Sequence, residues 1–107
     1  MTARDTRLPD LAGQRVLVTG ASGGIGGGIA RRFAAAGARL ALHYRGATTA
    51  STEAAFALVE ELRERGTDAV AVRADLAEAG AAEALVADAV RALGGLDGLV
   101  NNAGIQP

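Results

Sequence analysis

The clearest place for chemistry in this sequence is a turn rich in glycine. Residues 19–26 read Thr-Gly-Ala-Ser-Gly-Gly-Ile-Gly and lie between a short apolar run at residues 16–18 and a helical pattern. A dinucleotide pyrophosphate is bound by backbone N–H groups at the positive end of a helix, with no Cβ in the way. Gly20 allows a tight exit from the strand, Gly24 lets the phosphates approach the backbone, and Gly26 lets the helix lie close to the sheet. The alternative is chance clustering in a chain with 15 glycines, but the position between strand and helix favours a phosphate site.

A second set of residues, about 20 positions further on, can distinguish two nicotinamide dinucleotides. A carboxylate there binds the 2′-hydroxyl of NAD, whereas arginine accommodates the 2′-phosphate of NADP. The chain reads His43-Tyr44-Arg45, with neither Asp nor Glu. We therefore predict NADP as the cofactor, with Arg45 on its 2′-phosphate. The alternative for Arg45 is a solvated charge at a strand end, and His43 is interpreted as a half-buried strand residue rather than a catalyst.

Short apolar runs and helical periodicities alternate along the chain and predict β-α-β-α-β-α-β. The strands are predicted at residues 16–18, 40–45, 69–72 and 96–100, and glycines end each helix. This alternation indicates an α/β fold, a Rossmann-like doubly wound parallel sheet with strand order 3-2-1-4. Residues 1–13 are expected to be a polar lead-in, and residues 14–107 a dinucleotide-binding half-domain.

Composition narrows the possible partners. The net charge is −1 and the arginines are scattered, which argues against binding to nucleic acid or to an anionic membrane. The absence of Cys and the single His exclude disulfides and zinc sites. The polar start lacks the apolar run of a signal peptide, and no apolar stretch approaches the ~20 residues that cross a bilayer. We therefore expect a soluble cytoplasmic protein.

Three motifs resemble those of the short-chain dehydrogenase/reductase family. Residues 19–26 are similar to its T-G-x-x-x-G-x-G pattern, Asp75-Leu76 to its adenine-contacting pair, and residues 101–104 to its N-N-A-G motif. The order and spacing also match, so the resemblance covers nearly all of the chain after the lead-in. Within the family the sequence most resembles ketoreductases of the 3-oxoacyl carrier-protein reductase kind.

The resemblance assigns expected roles to individual residues. Tyr44 stands where NAD-preferring relatives carry their acid, and Gly23 stands where NADP-preferring relatives often carry a basic residue. Asp75 would accept a hydrogen bond from the adenine amino group, with a helix N-cap as its alternative role. Residues 101–104 would follow the nicotinamide ribose, with a plain polar turn as the alternative. The cofactor-binding residues predicted in this way are Gly20, Ser22, Gly23, Gly24, Ile25, Tyr44, Arg45, Asp75, Leu76, Asn101, Asn102, Ala103 and Gly104.

The family's catalytic residues have no counterpart in the 107 residues. They are a Tyr, a Lys, a Ser and an Asn that lie well beyond N-N-A-G; neither Asn101 nor Asn102 is that Asn, and the chain contains no Lys to activate Tyr44. The resemblance implies a homo-oligomeric parent enzyme that reduces a small-molecule carbonyl, or oxidises an alcohol, by hydride transfer. The chain alone is predicted to be inactive and to associate through its last strand. The alternatives are a stand-alone nucleotide-binding or regulatory module and a folding fragment without activity.

Overall fold

Strands and helices alternate along residues 10–103, the part of the chain that the computed structural model describes. The four strands form one parallel sheet in the order β3-β2-β1-β4. Both the α/β class and the strand order predicted from the sequence are confirmed. The elements are β1 (Arg15–Val18), α1 (Gly24–Ala35), β2 (Arg39–Tyr44), α2 (Thr49–Glu64), β3 (Ala69–Arg73), α3 (Ala81–Leu93) and β4 (Gly98–Val100).

The two central strands are buried on both faces, which is why they are apolar without alternation. Alternate residues of β1 and β2 serve two separate cores. Val18 and Leu42 pack with α1 and α2 on one side of the sheet, whereas Leu17 and Ala41 pack with α3 on the other. The helices therefore cover both faces, and the direction of winding changes between β1 and β4.

The last strand is shorter than predicted, because it begins at Gly98 rather than at Leu96. Asp97, just before β4, is bonded to the first residue of β1. Its carboxylate accepts hydrogen bonds from the Arg15 backbone N–H and from the Arg15 guanidinium at 2.9 Å. The backbone N–H of Asp97 also donates to Arg15 O at 2.8 Å, so backbone and side chain together hold Asp97 against the start of β1.

The helices follow the predicted periodicity, and the glycines expected to end them, Gly37, Gly66 and Gly94, all have positive φ. In α1, Ile29 and Phe33 pack against the core, but the first apolar residue of the helix does not. Ile25 is 64% exposed, and the face turned to the sheet carries small residues, among them Gly26 and Ala30. The close packing of α1 thus depends on the absence of side-chain bulk.

The start of the described chain docks onto the end of α1. The backbone N–H of Leu11 donates to Ala36 O at 2.9 Å, that of Gly13 donates to Gly37 O at 3.0 Å, and the Leu11 side chain packs against the core. Residues 1–9 of the predicted lead-in lie outside the described residues. Within residues 10–103, no helix combines the length and the apolar character needed to span a bilayer.

Candidate nucleotide-binding site

A cleft opens at the carboxyl ends of β1, β2 and β3, the edge where doubly wound sheets bind their ligands. Its volume is about 460 Å³, within the range of roughly 300–1,000 Å³ typical of small-molecule sites. The glycine turn forms one wall and the loop after β3 forms the opposite wall. The lining residues are Gly20, Ser22, Gly23, His43, Arg45, Ala74, Asp75, Leu76, Ala77 and Ala103.

Gly20 makes the tight exit from β1 that the sequence predicted. Its φ is +66°, a region that residues with a Cβ rarely adopt. A Cβ at this position would also lie 3.1 Å from both Ala103 Cα and Asn102 Nδ2. Backbone conformation and the neighbouring chain therefore both require glycine here.

The first turn of α1 leaves its amides without partners inside the helix. The N-cap residue is Gly23, which has no side chain to accept a hydrogen bond, and the first turn contains no acidic residue. The first helical hydrogen bond runs from Gly27 N to Gly23 O at 2.8 Å, so the N–H groups of residues 24–26 have no helical acceptor. These donors lie at the positive end of the helix dipole, an arrangement that suits an anion.

The other two helices of the described chain begin differently. In α2, the hydroxyl of Thr48 accepts from Ser51 N at 3.0 Å, and the first turn of α3 contains Glu83. A side chain in each helix therefore offsets the charge of its N-terminus. Of these three helices, only α1 has neither a side-chain cap nor an acidic residue in its first turn.

Gly24 and Gly26 differ sharply in their surroundings. A Cβ on Gly26 would collide with the carbonyl oxygen of Gly20 and would lie 2.8 Å from Asn102 Nδ2. Gly26 is therefore needed for α1 to approach the end of β1, as predicted. A Cβ on Gly24 would have no atom of the described chain within 4 Å. Packing within the chain gives no reason for glycine at position 24.

Arg45 and Asp75 face each other at the far end of the cleft. The Arg45 side chain is 67% exposed, and its Nε lies 3.8 Å from Asp75 Oδ1. The same Asp75 oxygen accepts from Ala77 N at 3.1 Å. The N-cap of α3 is Gly80, so the alternative role of Asp75 as a helix cap is wrong for α3. Asp75 instead stabilises the turn that directly follows β3.

The segment after β4 is tied to the end of β1. Asn102 is buried and its Nδ2 donates to Gly20 O at 3.1 Å. Thr19 Oγ1 accepts from Ala103 N at 3.0 Å and lies 3.2 Å from Asn101 Oδ1. These contacts hold residues 101–103 beside the glycine turn. Gly104, which was also predicted to bind the cofactor, lies outside the described residues.

The structure brings seven of the predicted residues together in the lining of the cleft and places others elsewhere. Tyr44 is buried, with its ring packed edge-on against Phe56 of α2 at a centroid distance of 5.8 Å. The Ser22 hydroxyl lies 3.2 Å from that of Ser51, so it links the glycine turn to α2. The seven lining residues are Gly20, Ser22, Gly23, Arg45, Asp75, Leu76 and Ala103.

Two residues of the site escaped the sequence analysis. Thr19 was placed in the glycine turn without a role of its own, although its hydroxyl organises residues 101–103. His43 is more deeply buried than predicted, at 3% exposure, and it forms part of the cleft wall. The T-G pair of the motif was a signal for Thr19. No local signal pointed to the partners of His43, because they lie in the loops that follow two other strands, β1 and β3.

A parallel sheet wound on both faces, with a glycine turn and an open cleft at its carboxyl edge, defines a Rossmann-like α/β protein. A family model described as short chain dehydrogenase matches residues 14–107. The chain therefore belongs to the short-chain dehydrogenase family.

Individual relatives agree with this assignment. The 3-oxoacyl-[acyl-carrier-protein] reductase FabG of Staphylococcus aureus is 46% identical over 89 residues, which are 83% of this chain and 35% of that protein. This match supports the predicted likeness to ketoreductases of that kind. The chain spans little more than a third of the length of such curated relatives.

Solved structures of short chain dehydrogenases and related proteins are also similar to this chain. A blue fluorescent protein from a metagenomic library, in complex with NADPH, is 44% identical with a TM-score of 0.83, covering 92% of this chain and 39% of that one. A short chain dehydrogenase from Burkholderia cenocepacia, in complex with NADP, is 44% identical with a TM-score of 0.79, covering 86% and 36%.

Proposed function

We propose that the chain is the NADP-binding part of an oxidoreductase that reduces a carbonyl or oxidises an alcohol. The observation that carries this proposal is the pairing of two features across one cleft. The uncapped N-terminus of α1 lies at one end, and Arg45 lies at the other with no carboxylate on β2 beside it. Two of the solved relatives hold NADPH or NADP, which supports the same cofactor here.

The residues of the cleft fit this cofactor. The donors at the start of α1 are backbone N–H groups, the kind that bind pyrophosphate at a helix N-terminus. Gly24 leaves space in front of them, since a Cβ there would meet no other part of residues 10–103 within 4 Å. Arg45 forms an exposed ion pair with Asp75 at 3.8 Å, and such pairs contribute little free energy. Breaking this ion pair so that Arg45 can bind a 2′-phosphate would therefore cost little free energy.

The cofactor, when bound, would supply the hydride that a carbonyl carbon accepts. The residues of this chain bind and orient it. The amides of residues 24–26 would hold the pyrophosphate, Arg45 the 2′-phosphate, and the Asp75 carboxylate the adenine amino group. The segment of residues 101–103 is locked to β1 by Asn102 and Thr19, and it would form a fixed edge for the nicotinamide ribose.

The proposal is tested by titrating NADP and NAD against the 107-residue chain. A charge-assisted hydrogen bond to the 2′-phosphate contributes about 1.5–3 kcal/mol, so NADP is expected to bind roughly 10- to 150-fold more tightly than NAD. Arg45→Asp should abolish or reverse this preference. Equal affinities in the wild type, or an unchanged preference in the variant, would contradict the proposal.

The chain offers a matched control for this substitution. Arg65 is also 67% exposed, and it forms a comparable ion pair with Glu61 at 3.5 Å, but it caps the C-terminal end of α2, at the opposite edge of the sheet. Arg65→Asp makes the same change in net charge away from the cleft. It should leave the preference for NADP intact, which separates a local contact from a general effect of charge.

A further inference from the structure

His43 is the one buried titratable side chain in the wall of the cleft, and the proposed function assigns it no role. Its Nδ1 accepts a hydrogen bond from Gly20 N at 3.0 Å. Its Nε2 lies 2.8 Å from Ala74 O. An amide N–H can only donate and a carbonyl can only accept, so the ring must be neutral with its proton on Nε2. Both ring nitrogens are thereby satisfied inside the protein.

The two partners of His43 belong to opposite ends of the cleft. Gly20 begins the glycine turn that leads to the amides of α1, and Ala74 directly precedes Asp75 at the adenine end. Backbone hydrogen bonds also connect these segments to β2, from Ala21 N to His43 O and from Ala74 N to Tyr44 O. The imidazole adds a hydrogen bond from the N–H of the Thr19–Gly20 peptide, and Asn102 holds the next peptide through the Gly20 carbonyl.

We propose that His43 is a positioning residue that sets the distance and orientation between the pyrophosphate and adenine ends of the site. This inference rests on the nucleotide-binding function proposed above. A ligand that occupies both ends depends on the imidazole bridge, whereas a ligand confined to the adenine end does not. The charged groups that share the cleft lining with His43 are Arg45 and Asp75, and neither is its hydrogen-bond partner.

The test compares NADP, which spans the cleft, with adenosine 2′-monophosphate, which reaches only the adenine end. His43→Leu keeps apolar bulk but leaves the Gly20 N–H and the Ala74 carbonyl without partners. It should weaken NADP binding by about tenfold, the effect of one lost hydrogen bond to a buried group, and change the binding of adenosine 2′-monophosphate less than about threefold. A general loss of folded protein would weaken both ligands equally.

A second variant keeps the inference testable if the leucine variant does not fold. The δ atoms of Asn are as many bonds from Cα as Nδ1 of His, so His43→Asn can still accept from Gly20 N. It should recover part of the NADP affinity that His43→Leu loses, because the hydrogen bond to Gly20 is retained while the one to Ala74 is lost. The tautomer is checked independently from the ¹⁵N resonances of the wild-type imidazole, where Nε2 should carry the proton.

The outcomes separate the two proposals. If wild type binds both ligands, and His43→Leu affects them equally or Nδ1 carries the proton, the positioning role is overturned and the proposed function stands. If wild type binds neither ligand, the proposed function fails and the inference fails with it. A selective loss for NADP in the leucine variant, partly rescued by Asn, supports the positioning role.

Discussion

Two glycines of α1 have similar space around them in the fold, so the same substitution can be tested at both positions. A Cβ at Gly24 or at Gly28 meets no atom of the described chain within 4 Å. Both positions are helical, and valine is less unfavourable than glycine in a helix by a few tenths of a kcal/mol. Gly24→Val and Gly28→Val should therefore unfold at nearly the same temperature as wild type, within about 0.5 kcal/mol in stability.

Binding of the cofactor should distinguish the two variants. At Gly24 the branched side chain would stand in front of the free amides of α1 and keep the pyrophosphate away from them. Each hydrogen bond to a charged group contributes about 1.5–3 kcal/mol, so losing one weakens NADP binding roughly 10- to 150-fold. Gly28 lies one helical turn further on, and its variant should bind NADP as wild type does.

The assay is calorimetric titration of NADP into each variant, preceded by thermal unfolding to show that both are folded. Normal binding by Gly24→Val would refute the reasoning, since it would place the phosphates away from the start of α1. Equal weakening in both variants would also refute it, because the effect would then belong to the helix as a whole.

Three further predictions concern the packing of α1, the stability of the fold in acid, and the activity and association of the purified chain. Gly26→Ala, unlike the two valine variants, should strongly lower the unfolding temperature, because its Cβ collides with the backbone of Gly20; a wild-type melting curve would contradict this. Hydrogen bonding to Arg15 lowers the pKa of Asp97 from 3.8 to about 2, so the folded pKa lies below the unfolded one. The stability that this pair contributes is complete above the unfolded pKa and is lost as the pH falls through about 2. In acid titrations, the free energy of unfolding of Asp97→Asn should therefore fall less steeply with pH than that of wild type. An identical dependence on pH in the two proteins would exclude the pair as a cause. Finally, the purified chain should reduce no carbonyl with NADPH and should self-associate through the edge of β4 that no other strand of residues 10–103 pairs with. Leu99 on this strand is 55% exposed. Sedimentation of a monodisperse monomer, or measurable turnover, would count against this.

The glycine turn and the order of the strands were accessible from the sequence because their causes are local. An apolar β-branched run followed by Gly20 predicts a buried strand with a tight exit, and the structure has both. The alternation of strands and helices restricts parallel connections to a few arrangements. The predicted order 3-2-1-4 is one of these arrangements, and the structure has it.

Features that depend on pairs of distant residues were not accessible. The imidazole of His43 contacts residues 23 positions before and 31 positions after it, and no periodicity encodes such a bridge. The contact between Arg15 and Asp97 is of the same kind, since the two residues are 82 positions apart. The exposure of Ile25 depends on how closely glycines let α1 approach β1, which is a property of packing rather than of pattern.

The central claim is that NADP occupies the cleft between the glycine turn and Arg45. It is tested most directly by titrating NADP into ¹⁵N-labelled chain and following the amide resonances. The account predicts that the largest shifts fall on residues 20–26, on Arg45 and on residues 75–77, with little change on the outer faces of α2 and α3. Shifts confined to those outer faces, or no shifts at saturating NADP, would contradict it.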